Sequence, residues 1–143
     1  MTKGLRTSLL ILMLTLFVSV SHSQESGEEP NKMISVMASH DEVMNDMPKL
    51  SKLINKLTTR ANASYKKEKY ELAIKDLKAA NQSMVSWMEN FSERFDADEM
   101  MKGKQLTEEK KKWLLEEEKK IALLKEEIDL SISQAERILN NQR

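Results

Sequence analysis

The chain contains no cysteine. Disulfides, thiolate metal sites, a cysteine nucleophile and lipid attachment through an N-terminal cysteine are therefore all excluded. Only three glycines and two prolines occur in 143 residues, of which 32% are charged, a balance that favours long helices over sheets. An excess of charge of either sign is missing too: 23 basic residues face 23 acidic ones. Nothing in that balance draws the chain to nucleic acid or to an anionic membrane surface. The sequence also lacks a glycine-rich phosphate loop, an HExxH zinc motif and a GxSxG elbow. A Ser-His-Asp triad would need His40 as its base, and its neighbour Asp41 points about 100° away on a helix. Carboxylates are plentiful, but no spacing marks a catalytic pair, so the expectation is a protein without catalysis.

Residues 1–23 read as a signal peptide. Lys3 and Arg6 form a basic start, "LLILMLTLFVSV" (9–20) an apolar core, and "SHS" (21–23) a small-residue cleavage site. The apolar run falls short of the roughly 20 residues that span a bilayer. Cleavage after Ser23 leaves 21 basic against 23 acidic residues and a periplasmic or secreted chain without stable membrane insertion. The polar stretch "QESGEEPNK" (24–32) is expected to be a disordered linker, and residues 33–143 to form the bundle.

The pattern predicts an all-α, up-down-up three-helix bundle with coiled-coil-like packing, its helices spanning about 31–60, 65–95 and 107–140. In the first, Val36, His40, Val43, Met47, Leu50, Ile54, Leu57 and Ala61 alternate in steps of four and three, with Met33, Met37 and Met44 beside them. Pro48 is expected to kink that helix without stopping it. In the second, Tyr70, Leu77, Met84 and Phe91 recur every seven residues. The third opens on Thr107 as N-cap, with Glu108 and Glu109 in its first turn, and carries Leu114, Ile121, Leu124, Ile128, Ala135 and Ile138 inward. Its run "EEKKKWLLEEEKK", including Lys111 and Glu117, reads as a solvated face.

Three blocks, "MASHDEVMNDM", "AIKDLKAANQSMVSWMENF" and "WLLEEEKKIALLKEEIDLSISQAERIL", resemble a group of small exported proteins of Bacteroidetes labelled "viral A-type inclusion protein". The shared elements are "HDEVM", "MxxWMxxF" and the charged "LEEEKKI" near the start of the last helix. The resemblance implies an exported helical bundle and no enzyme activity. This chain departs from many such sequences in lacking a lipobox cysteine.

One segment carries a specific chemistry. "MISVMASHDEVMNDM" (33–47) sets four methionines around His40. Folding the first hairpin about Ala63 puts His40 level with residue 86, between Met84 and Met88 and beside Trp87. Folding the second connection about Met101 brings the same level on the last helix near residue 116, close to Trp113. Met37, His40, Met44, Met84 and Met88 are thus the candidate metal ligands. Thioethers and imidazole suit Cu(I). A haem held by His40 and a methionine is a weaker variant, with no attachment motif behind it. The alternative is a methionine-rich core end, since methionine is an adaptable filler that packs well on indole. Two further readings stay open: a pliable apolar face for a protein or peptide partner, and a structural envelope protein whose methionines absorb oxidant. A monomer or weak homodimer is expected.

Overall fold

The computed structural model describes residues 28–65 and 67–141. The expected leader lies outside those residues, as do positions 24–27 of the expected linker. Four helices pack against one another: α1 (Glu28–Asn62), α2 (Glu68–Arg94), α3 (Ala97–Met101) and α4 (Glu108–Asn140). The described residues contain no strand, and no helix among them is long and apolar enough to cross a membrane. Each of the three long helices packs on the other two, while short α3 leans on α1.

Spacing explains the packing. The buried residues of α2 are Tyr70, Ala73, Leu77, Ala80, Met84, Trp87 and Phe91, alternately three and four apart, which on a helix makes one stripe. On α1, Val36, Val43, Leu50 and Leu57 are almost wholly enclosed. The residues that alternate with them, His40, Met47 and Ile54, are only half-buried. That asymmetry leaves α1 with one closed flank and one partly open one. Each fully enclosed aliphatic side chain contributes about 1.5–3 kcal/mol of transfer free energy, so this inner layer is the main stabilising element of a chain without crosslinks.

Polar pairs fix the register. Lys32 with Glu118, Glu42 with Lys125 and Lys49 with Glu136 tie α1 to α4, both numbers rising together. Arg94 with Glu116, Ser83 with Glu127 and Asp76 with Gln134 tie α2 to α4 in the opposite sense.

The structure departs from the sequence reading in several places. Residues 28–32, expected in a disordered linker, belong to α1. Pro30 is the third residue of that helix, where a backbone N–H has no intrahelical acceptor, so a residue without one is tolerated there. Burial of Met33 and Val36 and the Lys32–Glu118 pair hold this first part of α1 down. As the sequence reading expects, α1 does not stop at Pro48, which is exposed. The second helix begins at Glu68 rather than at Tyr65, because Tyr65 is exposed and the first buried anchor is Tyr70.

The second connection holds a helix that the sequence reading left out. Asp96 caps α3 by accepting from the N–H groups of Asp98 and Glu99, both at 3.0 Å, while the Glu99 carboxylate accepts from the Asp96 N–H at 2.8 Å. This reciprocal capping box satisfies donors that a short helix otherwise leaves unpaired. Gly103, at φ +67°, then lets the Lys104 N–H fold back onto the Asp98 carbonyl. Thr107 caps α4 as expected, accepting from the Lys110 N–H at 3.3 Å.

Glu117 is the clearest correction. It was assigned to a solvated face, yet it has no exposed surface. It falls three residues after Leu114 and four before Ile121, which is a seam position, and its charge is met by Arg94 at 3.0 Å and Lys120 at 2.8 Å.

Candidate functional site: a methionine groove between α1 and α2

The half-open flank of α1 and the neighbouring flank of α2 enclose a groove of about 480 Å³. From α1 come His40, Met44 and Met47, the first and last being the half-buried seam positions. From α2 come Met84 and Met88, one helical turn apart. Met84 is buried and forms the floor; Met44, 45% exposed, stands at the mouth. Asn81, Val85, Glu89 and Ser92 complete the α2 side.

Of the five candidate ligands, His40, Met44, Met84 and Met88 therefore share one groove. Met37 does not line it and packs instead against the core. Met37 and Met44 occupy equivalent places seven residues apart on α1. At the level of Met37, however, α2 presents the fully buried Phe91, whose bulk takes up the space that stays open beside Met84. Met47 lines the groove without having been named a ligand. Asn81, Val85, Glu89 and Ser92 follow no apolar or ligand-type pattern, and only the facing of α1 and α2 reveals them.

His40 is held from two sides. Its ring stacks on Trp87, with centroids 5.9 Å apart and planes 27° apart. The stack continues through Phe91 and Phe95, each 4.8 Å from the ring before it. On its edge, His40 Nδ1 lies 3.0 Å from the Asp41 carboxylate. The expectation that these chain neighbours point apart is thus corrected. A carboxylate on a flexible stem reaches an adjacent ring even though the two Cβ directions diverge. With the proton on Nδ1 donated to Asp41, Nε2 keeps its lone pair, which is the usual second-shell arrangement of a metal-binding histidine. Trp87 Nε1, by contrast, is buried with no hydrogen-bond partner among the described residues.

Trp113 does not join this site. It is half-buried, and the Arg94 guanidinium sits 5.3 Å from its ring centre. The α2–α4 pairs place the turning point of the second connection near Gln105, not Met101, because α3 and the segment after it lengthen that connection. The level of His40 on α4 consequently lies near Lys125, the partner of Glu42, about three turns beyond Trp113.

Among the described residues no three His, Asp or Glu side chains gather as a metal site. The donors that do converge are soft ones. Compared with family models, curated proteins and solved structures, the chain gives no match.

Proposed function

We propose that this chain is an exported, non-enzymatic binding protein whose α1–α2 groove takes up Cu(I). The bundle is read as three long helices running up-down-up with coiled-coil-like packing, α3 being an embellishment of the second connection. The observation that carries the reading is the setting of His40: Nδ1 is occupied by Asp41 at 3.0 Å, and Met44, Met84 and Met88 line the same groove. His40 Nε2 and those three thioethers are the ligands, and the aromatic stack behind them fixes the imidazole plane. Cu(I) favours such neutral soft donors, and a cysteine-free chain offers no thiolate to compete. The resemblance to exported Bacteroidetes proteins supports the periplasmic or secreted address and supplies no mechanism. Elemental analysis of the chain purified from a copper-replete periplasm tests the reading: about one copper per chain is expected.

A second reading has its own observation. Leu123 and Leu130, seven residues apart on α4, are 67% and 59% exposed, and Leu115 is exposed on the same helix. Apolar surface in that amount supports a protein-interaction module of the cell envelope, in which the methionine face is only packing.

A further inference from the structure

A second cavity, of about 470 Å³, opens between α1 and α4 at the end of the bundle where both helices finish. Lys56 and Arg60 line it from α1, Leu139 and Asn140 from α4, and Leu53 is buried beneath. We infer that this cavity is a binding site for an anionic amphiphile: a carboxylate or phosphate head held by Lys56 and Arg60, with an alkyl part laid on Leu53 and Leu139.

The charge arithmetic favours an anion. Lys56 and Arg60 are one helical turn apart and have no ion-pair partner among the described residues. Both line the same cavity wall, which concentrates two uncompensated positive charges on it. Glu136 also lines the cavity, but Lys49 meets its charge at 3.0 Å. Arg60 lies in the last turn of α1, where a cation offsets the helix dipole. Two helix C-termini bring roughly −0.5 charge each. Two cations exceed that by about one full charge, and the excess is what an anionic head would neutralise. The Asn140 amide supplies a neutral donor, whereas the Thr59 hydroxyl is committed to the Asn55 carbonyl at 3.1 Å.

The apolar part sets the class. A bare inorganic anion would use only the cationic wall and leave the leucine floor wet. A molecule with both a charged head and a hydrocarbon part matches both surfaces, and the volume falls within the range of about 300–1,000 Å³ typical of small-molecule sites. The site is separate from the methionine groove and does not depend on what that groove binds.

The test is isothermal titration of the full mature chain with dodecyl phosphate, inorganic phosphate and the neutral dodecyl maltoside, alongside sedimentation with phosphatidylcholine vesicles with and without phosphatidylglycerol. Dodecyl phosphate should bind at least about tenfold more tightly than either soluble control. The double substitution Lys56→Gln with Arg60→Gln should weaken it by about tenfold or more. The same loss of charge at Lys75→Gln with Lys78→Gln, exposed on α2, should leave it unchanged. Capture by phosphatidylglycerol vesicles that the Lys56/Arg60 variant loses would assign the head to a membrane lipid. Binding of soluble dodecyl phosphate without vesicle capture would assign it to a free amphiphile. Undiminished binding by the Lys56/Arg60 variant, an equal loss in the α2 control, or binding of none of the anionic probes overturns the inference.

Discussion

The Arg94 guanidinium donates to Glu117 Oε1 at 3.0 Å across the α2–α4 seam, and the carboxylate it meets has no exposed surface. Glu117 Oε1 also accepts from Lys120, while Oε2 is buried with no hydrogen-bond partner among the described residues. A buried carboxylate with one idle oxygen incurs desolvation that its partners offset only in part. Arg94→Ala should destabilise the fold by about 1–3 kcal/mol, below the 3–5 of a fully buried pair, because Lys120 remains and Arg94 is already 30% exposed. Glu117→Met should be neutral or stabilising, since it removes the charge and keeps the volume. Urea unfolding of both variants checks this; a Glu117→Met variant weaker than Arg94→Ala would mean that the carboxylate is a net contributor.

The core should separate cleanly from the surface. Leu57, Leu77, Ile121 and Ile128 are all at most 1% exposed. Replacing any one with Ala should cost about 2–5 kcal/mol, through lost transfer free energy and the cavity left behind. Glu126, exposed on α4, should tolerate Ala within about 0.5 kcal/mol. Denaturant midpoints that failed to divide the two groups would reject the packing described.

The α3 cap should respond to acid. Lys104 donates to Asp96 at 2.6 Å and, with the N–H groups of Glu99 and Asp98, holds the Asp96 carboxyl below the usual carboxylate range. A depressed acid stabilises the folded state fully above the unfolded value, about 4. That contribution is lost as pH falls through the lower folded value. Protection of the Asp98 and Glu99 amides, taken relative to their intrinsic exchange rates, should therefore fall below about pH 4, and Asp96→Ala should show low protection at every pH. The cations behave inversely. Lys104 is raised by Asp96, and Lys125 by Glu42. Their contributions persist below the usual lysine value and disappear only as pH rises through the raised one. Unchanged protection across the acid range would contradict the cap assignment.

Much of this was readable from the chain, and the failures have specific causes. The first hairpin could be folded on paper because its turn is short: a pivot at Ala63 predicted the meeting of His40 with Trp87 that the structure contains. The second pivot failed because "DADEMM" carries its own capping box, and the helix it starts lengthens the connection. Trp113 was misplaced for that reason alone. Glu117 was missed because Glu116, Glu117 and Glu118 have the same composition and only register separates them. That register was available, since the middle glutamate falls between Leu114 and Ile121 at seam spacing. The polar rim of the groove, Asn81, Glu89 and Ser92, falls at helical spacing but carries no apolar or soft-ligand residue to mark it, and only the facing of two helices reveals it.

The proposed address has a direct consequence. If residues 1–23 are a cleaved leader, the mature chain begins at Gln24, and intact mass spectrometry of periplasmic or secreted material should show that terminus. Retention of Met1 in that fraction would argue for an anchored form instead.

The groove itself is tested most directly by a Cu(I) competition titration of the mature chain against a chromogenic chelator, with His40→Ala and the separate substitutions Met44→Leu, Met84→Leu and Met88→Leu beside it. Leucine nearly matches methionine in volume, so each Met→Leu change should cost less than about 1.5 kcal/mol of stability while removing a donor. The account predicts one Cu(I) per chain, a sharp loss of affinity with His40→Ala and smaller losses with each leucine variant. Trp87 fluorescence should fall as the metal loads, because His40 stacks on that indole. No Cu(I) binding, or binding that His40→Ala and all three leucine variants leave intact, would contradict the account and leave the groove as methionine packing.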